Sequence, residues 1–412
     1  MKHLHYGWFM VLISVSILAT HALMFYSFGV FLRPITTEFH WERGALSAAT
    51  SIMLLVAGPL GILSGRLSDK YGPRLLVTAN GLLTGVGLLL LSQISSLWQV
   101  YLIFGLLLAV AASCLVVPIT STIPRWFAKR EGMAIGLVWT GIGLGGAIAP
   151  LLAQWLIDSY GWRQAYIVLG LINLIIIIPL AQLMKRSPQQ IGLKPYGYNE
   201  TIEDEQLFTS TMKEHSFKQA VKTSHFWMFG FILFCFVFTM FVMITHIAPH
   251  IVDTGISATI AASIVSIFAA ASLIGRTLSG VISDKIGSRL TLSVSLIVIT
   301  LALIWLLFSR EAWMFYLFAV LYGIAYGGIV PLQTILTREL FGLKSLGIIF
   351  AGLALFATLG GTVGAPLAGF IFDVTESYDL VFIISIILSV LAVTISLILL
   401  RSKSIGDQTI TE

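Results

Sequence analysis

An arginine in the middle of an apolar run, and a charged segment that occurs twice, are two features of this sequence that packing alone does not explain. Arg276 falls in SIVSIFAAASLIGRTLSGVISDKIGSRL, residues 263–290, two helical turns before the charged end of that stretch. A cation held inside a bilayer costs from about 3 to more than about 10 kcal/mol, depending on the scale used. The guanidinium stays protonated, and its planar fork matches a carboxylate through two parallel hydrogen bonds. No aspartate or glutamate is written within the long apolar stretches. The counter-charge expected for Arg276 is therefore an organic carboxylate from outside the chain. A structural arginine bonded to backbone carbonyls is the alternative reading. Ionisable residues at such depth are functional by default.

The charged segment sits at the end of the same stretch. Gly280-Val-Ile-Ser-Asp284-Lys285-Ile-Gly287-Ser-Arg289 restates Gly65-Arg-Leu-Ser-Asp69-Lys70-Tyr-Gly72-Pro-Arg74. Gly280 follows Gly65 by 215 residues, as Asp284 follows Asp69 and Arg289 follows Arg74. The echo extends to Gly145-Gly146-Ala-Ile-Ala-Pro150 against Gly360-Gly361-Thr-Val-Gly-Ala-Pro366, and to Asp158 against Asp373. Basic residues placed to orient a membrane protein would explain the lysines and arginines. They would not explain carboxylates recurring in register, so the chain reads as two related halves.

The elements that hold these residues follow from composition. With 57% hydrophobic and only 10% charged residues in 412, against about 25% charged in soluble chains, this is an integral membrane protein. The net charge of +5 reads as basic loops on one face of a bilayer, not as a nucleic-acid surface. Runs of about 20 apolar residues predict helices over Trp8 to Leu32, Leu46 to Ser64, Leu75 to Ser92, Val100 to Ile123, Gly132 to Ile157 and Ala165 to Leu183. A second set covers His225 to His246, Ser257 to Ile282, Leu290 to Phe308, Ala312 to Ile335, Gly347 to Phe372 and Leu380 to Leu400. The expected fold is all-α, with 12 transmembrane helices in two six-helix bundles, residues 1–184 and 223–402. A polar cytoplasmic linker, 185–222, joins them, and 403–412 form a tail. The first run continues through Tyr26 to Leu32 without a small-residue cleavage site, which predicts an uncleaved first helix. Of the 24 lysines and arginines, Arg33, Arg43, Arg163 and Arg310 map to one side, Arg276 to a span, and the rest to the other side. The positive-inside rule then places both termini in the cytoplasm. Cys114 and Cys235 lie in apolar runs and read as packing residues. The spans show no nucleophile–base pairing, metal-ligand spacing or phosphate loop, so neither an enzyme nor a metal or cofactor site is expected.

Two parallel repeats of six helices are the layout with which secondary transporters rock around a central site. The doubled Gly-x-x-x-Asp-Lys-x-Gly-x-Arg segment on such a chain resembles the major facilitator superfamily. The resemblance implies that Gly65, Asp69, Lys70 and Arg74, with Gly280, Asp284, Lys285 and Arg289, form conformational hinges that lock the outward-facing state at the cytoplasmic helix ends. Three further segments narrow it: Tyr6-Gly7-Trp8-Phe9, Trp126-Phe127-Ala128-Lys129-Arg130-Glu131-Gly132-Met133-Ala134-Ile135-Gly136, and the lone Arg276. Together they are similar to the monocarboxylate transporter family, in which such an arginine binds substrate. The oxalate/formate exchangers share much of this, but that resemblance would place a lysine in the eleventh helix, and Gly347 to Phe372 contains none. The expectation shifts from a dianion to a small monocarboxylate such as lactate or pyruvate.

A lone anion entering an inside-negative cell climbs about 2.3 kcal/mol per 100 mV, whereas an anion with one proton crosses neutrally. Proton symport is the expectation, with a carboxylate exchanger lacking proton coupling as the alternative. In many animal members of the monocarboxylate transporter family that this chain resembles, an aspartate lies four residues before the arginine; here that position is Ser272, so that proton site does not transfer. Histidine, with an ordinary pKa near 6.5, offers His246 first, then His250 with Asp253 beyond it. His21 reads as an inter-helix hydrogen bond. Substrate contacts beyond Arg276 are sought in Tyr322 and Tyr326, one turn apart, and in Tyr26, Phe28, Ser113, Trp139, Thr140 and Phe356. Glycine pairs Gly132/Gly136, Gly141/Gly145 and Gly360/Gly364 are spaced for close helix contact. The expected partners are a small monocarboxylate anion, a proton and the lipid bilayer of a bacterial plasma membrane, with the chain working as a monomer.

Overall fold

The structure is a computed structural model that describes residues 5–198, 216–342 and 346–401, except for the side chains of Ile62, Asp69, Glu131, Asp284 and Leu346. Among the described residues, twelve helices are long and apolar enough to cross a membrane. They are α1 (Tyr6–Phe39), α2 (Arg43–Tyr71), α3 (Pro73–Leu91), α4 (Leu97–Trp126), α5 (Glu131–Tyr160) and α6 (Trp162–Leu183). The second set is α7 (Ser224–Asp253), α8 (Ala258–Ile286), α9 (Ser288–Leu307), α10 (Ala312–Phe341), α11 (Leu346–Thr375) and α12 (Asp379–Arg401). All twelve expected helices are present. Several run up to two turns beyond their apolar cores, because Glu38, Asp158, Asp253 and Glu339 occupy terminal turns where a charge can reach water. The apolar runs themselves stop short of these charges.

By contacts, the chain groups into two compact units: residues 1–200 with Ile244–Ser266, and 201–243 with 267–412. The hairpin joining α7 to α8 thus groups with the first half of the sequence. In the first unit, α1 lies along α5 and α3 along α6. The α1–α5 approach depends on missing side chains: a methyl group on Gly141 or Gly145 would overlap the backbone carbonyl of Val15 or Ala19. Gly132 and Gly136 behave differently from expectation, since each faces open space. The hairpin reaches α1 in the same manner, for a methyl on Gly29 would sit 2.7 Å from the Ile244 carbonyl oxygen.

Helix α4 is not continuous. A π-helical stretch, Tyr101–Leu107, precedes a break at Cys114, and a 3-10 turn, Ile123–Trp126, ends the span. Pro118 explains the break, because it has no N–H to return to the Cys114 carbonyl and its ring crowds that carbonyl.

In the second unit, α9 packs between α10 and α12. Gly360 and Gly364 of α11 lie against the carbonyls of Phe234 and Phe238 on α7. The repeated charged segment has one backbone solution in both units. Gly72, at φ 83°, joins α2 to α3, and Gly287, at φ 87°, joins α8 to α9. A single left-handed residue makes each connection, and glycine adopts that conformation without the Cβ penalty.

Candidate functional site

Arg276 sits on α8 directly after Gly275, where α8 packs closely on α10. A methyl on Gly275 would penetrate the Ile324 carbonyl, and one on Gly327 would penetrate the Ser272 carbonyl. The two helices are therefore locked backbone to backbone at the height of the arginine. The Arg276 side chain is half-buried, with its Nε buried from solvent.

The face of α8 that carries Arg276 also carries Ser272 one turn earlier and Phe268 two turns earlier. Ser272 Oγ returns its hydrogen to the Ala269 carbonyl at 2.7 Å. Phe268 meets both predicted tyrosines of α10, its ring centroid 5.6 Å from that of Tyr322 and 5.3 Å from that of Tyr326. Tyr326 stacks on Phe236 of α7 at 5.9 Å. The Tyr322 hydroxyl donates to Thr239 Oγ1 at 3.4 Å, so a buried phenol finds its partner inside the protein. The second unit thus gathers Phe236, Phe268, Tyr322 and Tyr326 into an aromatic cluster, and Arg276 lies two turns along α8 from its Phe268. Phe268 escaped the sequence reading, although its spacing of eight from Arg276 places it on the same helix face. Phe356 belongs to a different aromatic cluster, against Gly230 and with ring centroids 6.0 Å from Phe226 and 5.6 Å from Trp227.

The other predicted contacts lie in the first unit. Tyr26 and Phe28 are buried in α1, and Phe28 packs 4.4 Å from Phe104 in the π-helical part of α4. Ser113 Oγ donates to the Val110 carbonyl at 2.7 Å, and Thr140 Oγ1 to the Leu137 carbonyl at 2.6 Å. Both hydroxyls are spent on their own helices. Trp139 is half-buried in α5. His21 meets Asn80 of α3, with Nδ1 and Nδ2 3.5 Å apart, as an inter-helix bond requires.

The predicted proton group divides by environment. His246 is fully buried and His250 nearly so. Asp253 closes α7 and accepts from both terminal nitrogens of Arg43, at 2.6 and 3.0 Å. This bidentate clasp, with the side chains 12% and 26% exposed, ties the start of α2 to the end of α7. A further bond, from Thr259 Oγ1 to Asp158 Oδ2 at 3.3 Å, ties α8 to α5.

At the opposite end of the first unit, the two tryptophan-bearing signature segments come together. Tyr6 lies 5.2 Å from Trp126, and Trp8 lies 5.0 Å from Phe127 in a T-shaped pair, with Tyr196 completing the cluster. The Tyr6 hydroxyl donates to the Leu183 carbonyl at 2.8 Å. Of the hinge charges, Arg74 Nε donates to Gln182 Oε1 at 2.7 Å and Arg289 Nη1 to the Leu399 carbonyl at 3.2 Å. Lys70 lies over the Tyr71 ring, and Lys285 is exposed. Gly65 lies near Val117, and Gly280 faces open space. The side chains of Asp69 and Asp284 lie outside those described.

Residues 14–253 and 230–410 both match the family model described as Major Facilitator Superfamily. The chain belongs to the Major Facilitator Superfamily. Among curated proteins, this facilitator is 30% identical to Monocarboxylate transporter 13 of Rattus norvegicus, over 92% of its own length and 86% of the relative's. It is 25% identical to the uncharacterized MFS-type transporter YcxA of Bacillus subtilis (strain 168), over 93% and 92% of the two chains. Its fold is similar to that of a bacterial homologue of the human lysosomal transporter Spinster, with a TM-score of 0.79 at 16% identity, covering 98% of each chain. The facilitator is a multi-pass membrane transporter.

In this facilitator the Arg43–Asp253 clasp is testable by exchange. Asp253→Arg is expected to reduce uptake of a carried substrate at least about fivefold, and the swapped pair Arg43→Asp/Asp253→Arg to regain most of it. The implied coupling is about 1–2 kcal/mol, typical of contacting charges in double-mutant cycles. A swap no better than the single variant would show that the two residues do not act as a pair.

Proposed function

We propose that this facilitator carries a small monocarboxylate, of the L-lactate or pyruvate kind, together with one proton. The observation that supports this most directly is Arg276, held by the Gly275 contact on the α8 face that also presents Phe268 to Tyr322 and Tyr326. A fixed guanidinium binds the carboxylate, and an apolar aromatic wall accommodates a short carbon chain. The relative named as a monocarboxylate transporter points to the same substrate class.

Arg276 supplies one positive charge, which suits a monoanion. The absence of lysine from Gly347 to Phe372 favours a monoanion over a dianion. Proton coupling follows from charge, since one proton per monoanion removes the electrical work of entry. His246 is the proposed proton carrier and His250 its neighbour one turn on, while Asp253 serves the clasp. The bundles 1–184 and 223–402 alternate in access to the site, with the glycine-joined charged segments setting the balance. Basic residues orient both termini and the 185–222 linker to the cytoplasm of a cell whose plasma membrane holds the protein as a monomer.

Uptake of radiolabelled L-lactate into proteoliposomes tests this reading. With one proton per anion and no membrane potential, accumulation is expected to reach about tenfold per pH unit of inward gradient, since each unit is worth about 1.4 kcal/mol. His246→Ala is expected to keep exchange of labelled for unlabelled lactate and to lose gradient-driven accumulation. If the unaltered protein ignores the gradient and exchanges only against preloaded carboxylate, it is an exchanger and symport is wrong.

A further inference from the structure

A cavity lies wholly within the first unit. It occupies about 490 Å³ at the C-terminal ends of α1 and α5, where the α7–α8 hairpin packs on them. That volume is in the range of small-molecule sites, about 300–1,000 Å³. Its walls are apolar and short: Val30 and Pro34 on α1, Ile157 on α5, Val252 on α7, and Ala258 and Ala261 on α8. The alanines leave the hollow that larger residues would fill.

Two charged residues line it, Arg33 and Glu38. Glu38 is already engaged, because its Oε1 accepts from Arg163 Nη1 and its Oε2 from Trp162 Nε1, each at 2.6 Å. Gln154, the buried amide of the lining, donates its Nε2 to Asp158 Oδ1 at 2.7 Å, which spends that carboxylate as well. Arg33 has no ion pair or side-chain hydrogen bond among the described residues. The cavity therefore presents one solvent-exposed cation beside a mostly apolar wall.

We propose that this cavity is a second anion site, which takes a small amphipathic monoanion: a carboxylate on Arg33 with an aliphatic or aromatic body against the Val30, Ile157 and Ala261 wall. The site is separate from Arg276, which lies in the other compact unit. It does not depend on which substrate the protein carries. Its occupant touches α1 and α5 on one side and α7 and α8 on the other, so it binds best when these stay together. A ligand with such a preference shifts the population toward that arrangement. The occupied protein consequently turns over more slowly.

The test is a ¹⁹F NMR titration of the purified full chain with 4-fluorobenzoate, performed in an Arg276→Gln background so that the arginine of α8 cannot capture the probe. Binding is expected to persist in that background and to weaken at least tenfold on adding Arg33→Gln. It is expected to vanish on adding Ala261→Trp, which fills the chamber and keeps the charge. The neutral isostere 4-fluorobenzamide is expected to bind at least tenfold more weakly. Thermal melting of each variant checks that it is folded. Equal affinity with and without Arg33, or equal affinity of the benzoate and the benzamide, overturns the proposal. Failure of lactate uptake by the unaltered protein would overturn the proposed substrate and leave this titration unaffected.

Discussion

Replacing Arg276 with alanine is expected to lower L-lactate uptake by at least about 100-fold at fixed substrate, and replacing it with lysine by about 5- to 30-fold. The difference between the two carries the argument. Alanine removes the charge, and losing one member of a hydrogen-bonded charge pair costs about 2–5 kcal/mol. Lysine keeps the charge and loses the planar fork, so one of two parallel bonds goes, at about 1–2 kcal/mol for a charge-assisted bond. The lysine deficit is expected mainly in KM, because the interaction is made with the bound anion before any movement. Uptake in proteoliposomes over a range of lactate concentrations separates the two parameters. If Arg276→Ala transports like the unaltered protein, the carboxylate is held elsewhere.

The second large effect concerns the glycine beside that arginine. Gly275→Ala adds one methyl that would overlap the Ile324 carbonyl oxygen, a backbone atom that cannot swing aside. The α8 and α10 backbones must separate, and overpacking of this kind costs about 1–3 kcal/mol. Arg276 moves with them. A displacement near 1 Å can reduce turnover on the order of 100-fold. Gly275→Ala is therefore expected to depress uptake far beyond what its lowered melting temperature explains. Gly136→Ala is the matched control: its Cβ would meet nothing within 4 Å. It is expected to leave uptake unchanged and to stabilise the helix by up to about 1 kcal/mol, since alanine is the better helix former. Equal losses in the two variants would remove the close-contact explanation.

These two glycines also mark how far the sequence can be read. The twelve helices were legible because a bilayer demands about 20 apolar residues for each, and the halves because Gly72 and Gly287 recur in one charged setting. Spacing alone could not separate Gly141 and Gly145, which admit the α1 backbone, from Gly132 and Gly136, which face open space. Four-residue spacing selects a helix face and leaves the neighbour of that face unstated. The π-helical stretch of α4 was invisible, because Tyr101–Leu107 is as apolar as any α-helical span. The Arg43–Asp253 clasp joins residues 210 apart in sequence, and a single chain holds no record of such pairings. Arg33 was assigned to topology for the same reason: its companions in the cavity come from α5, α7 and α8. Arg276 was legible because a charge in an apolar run stands out locally. Phe268, two turns away on the same helix, was not, since one more phenylalanine among 26 carries no mark of its own.

The grouping of Ile244–Ser266 with the first half of the chain bears on how the molecule is made. A ribosome delivers helices to the membrane in chain order, and a domain usually folds as a unit once its last element has emerged. The unit that begins first still lacks its hairpin when α6 has been inserted. The Gly29 contact, the Arg43 clasp and one wall of the Arg33 cavity all wait for α7 and α8. Each nascent chain thus passes through an interval in which six inserted helices await the hairpin of the seventh and eighth. Early helices must therefore remain receptive to the late hairpin until it arrives.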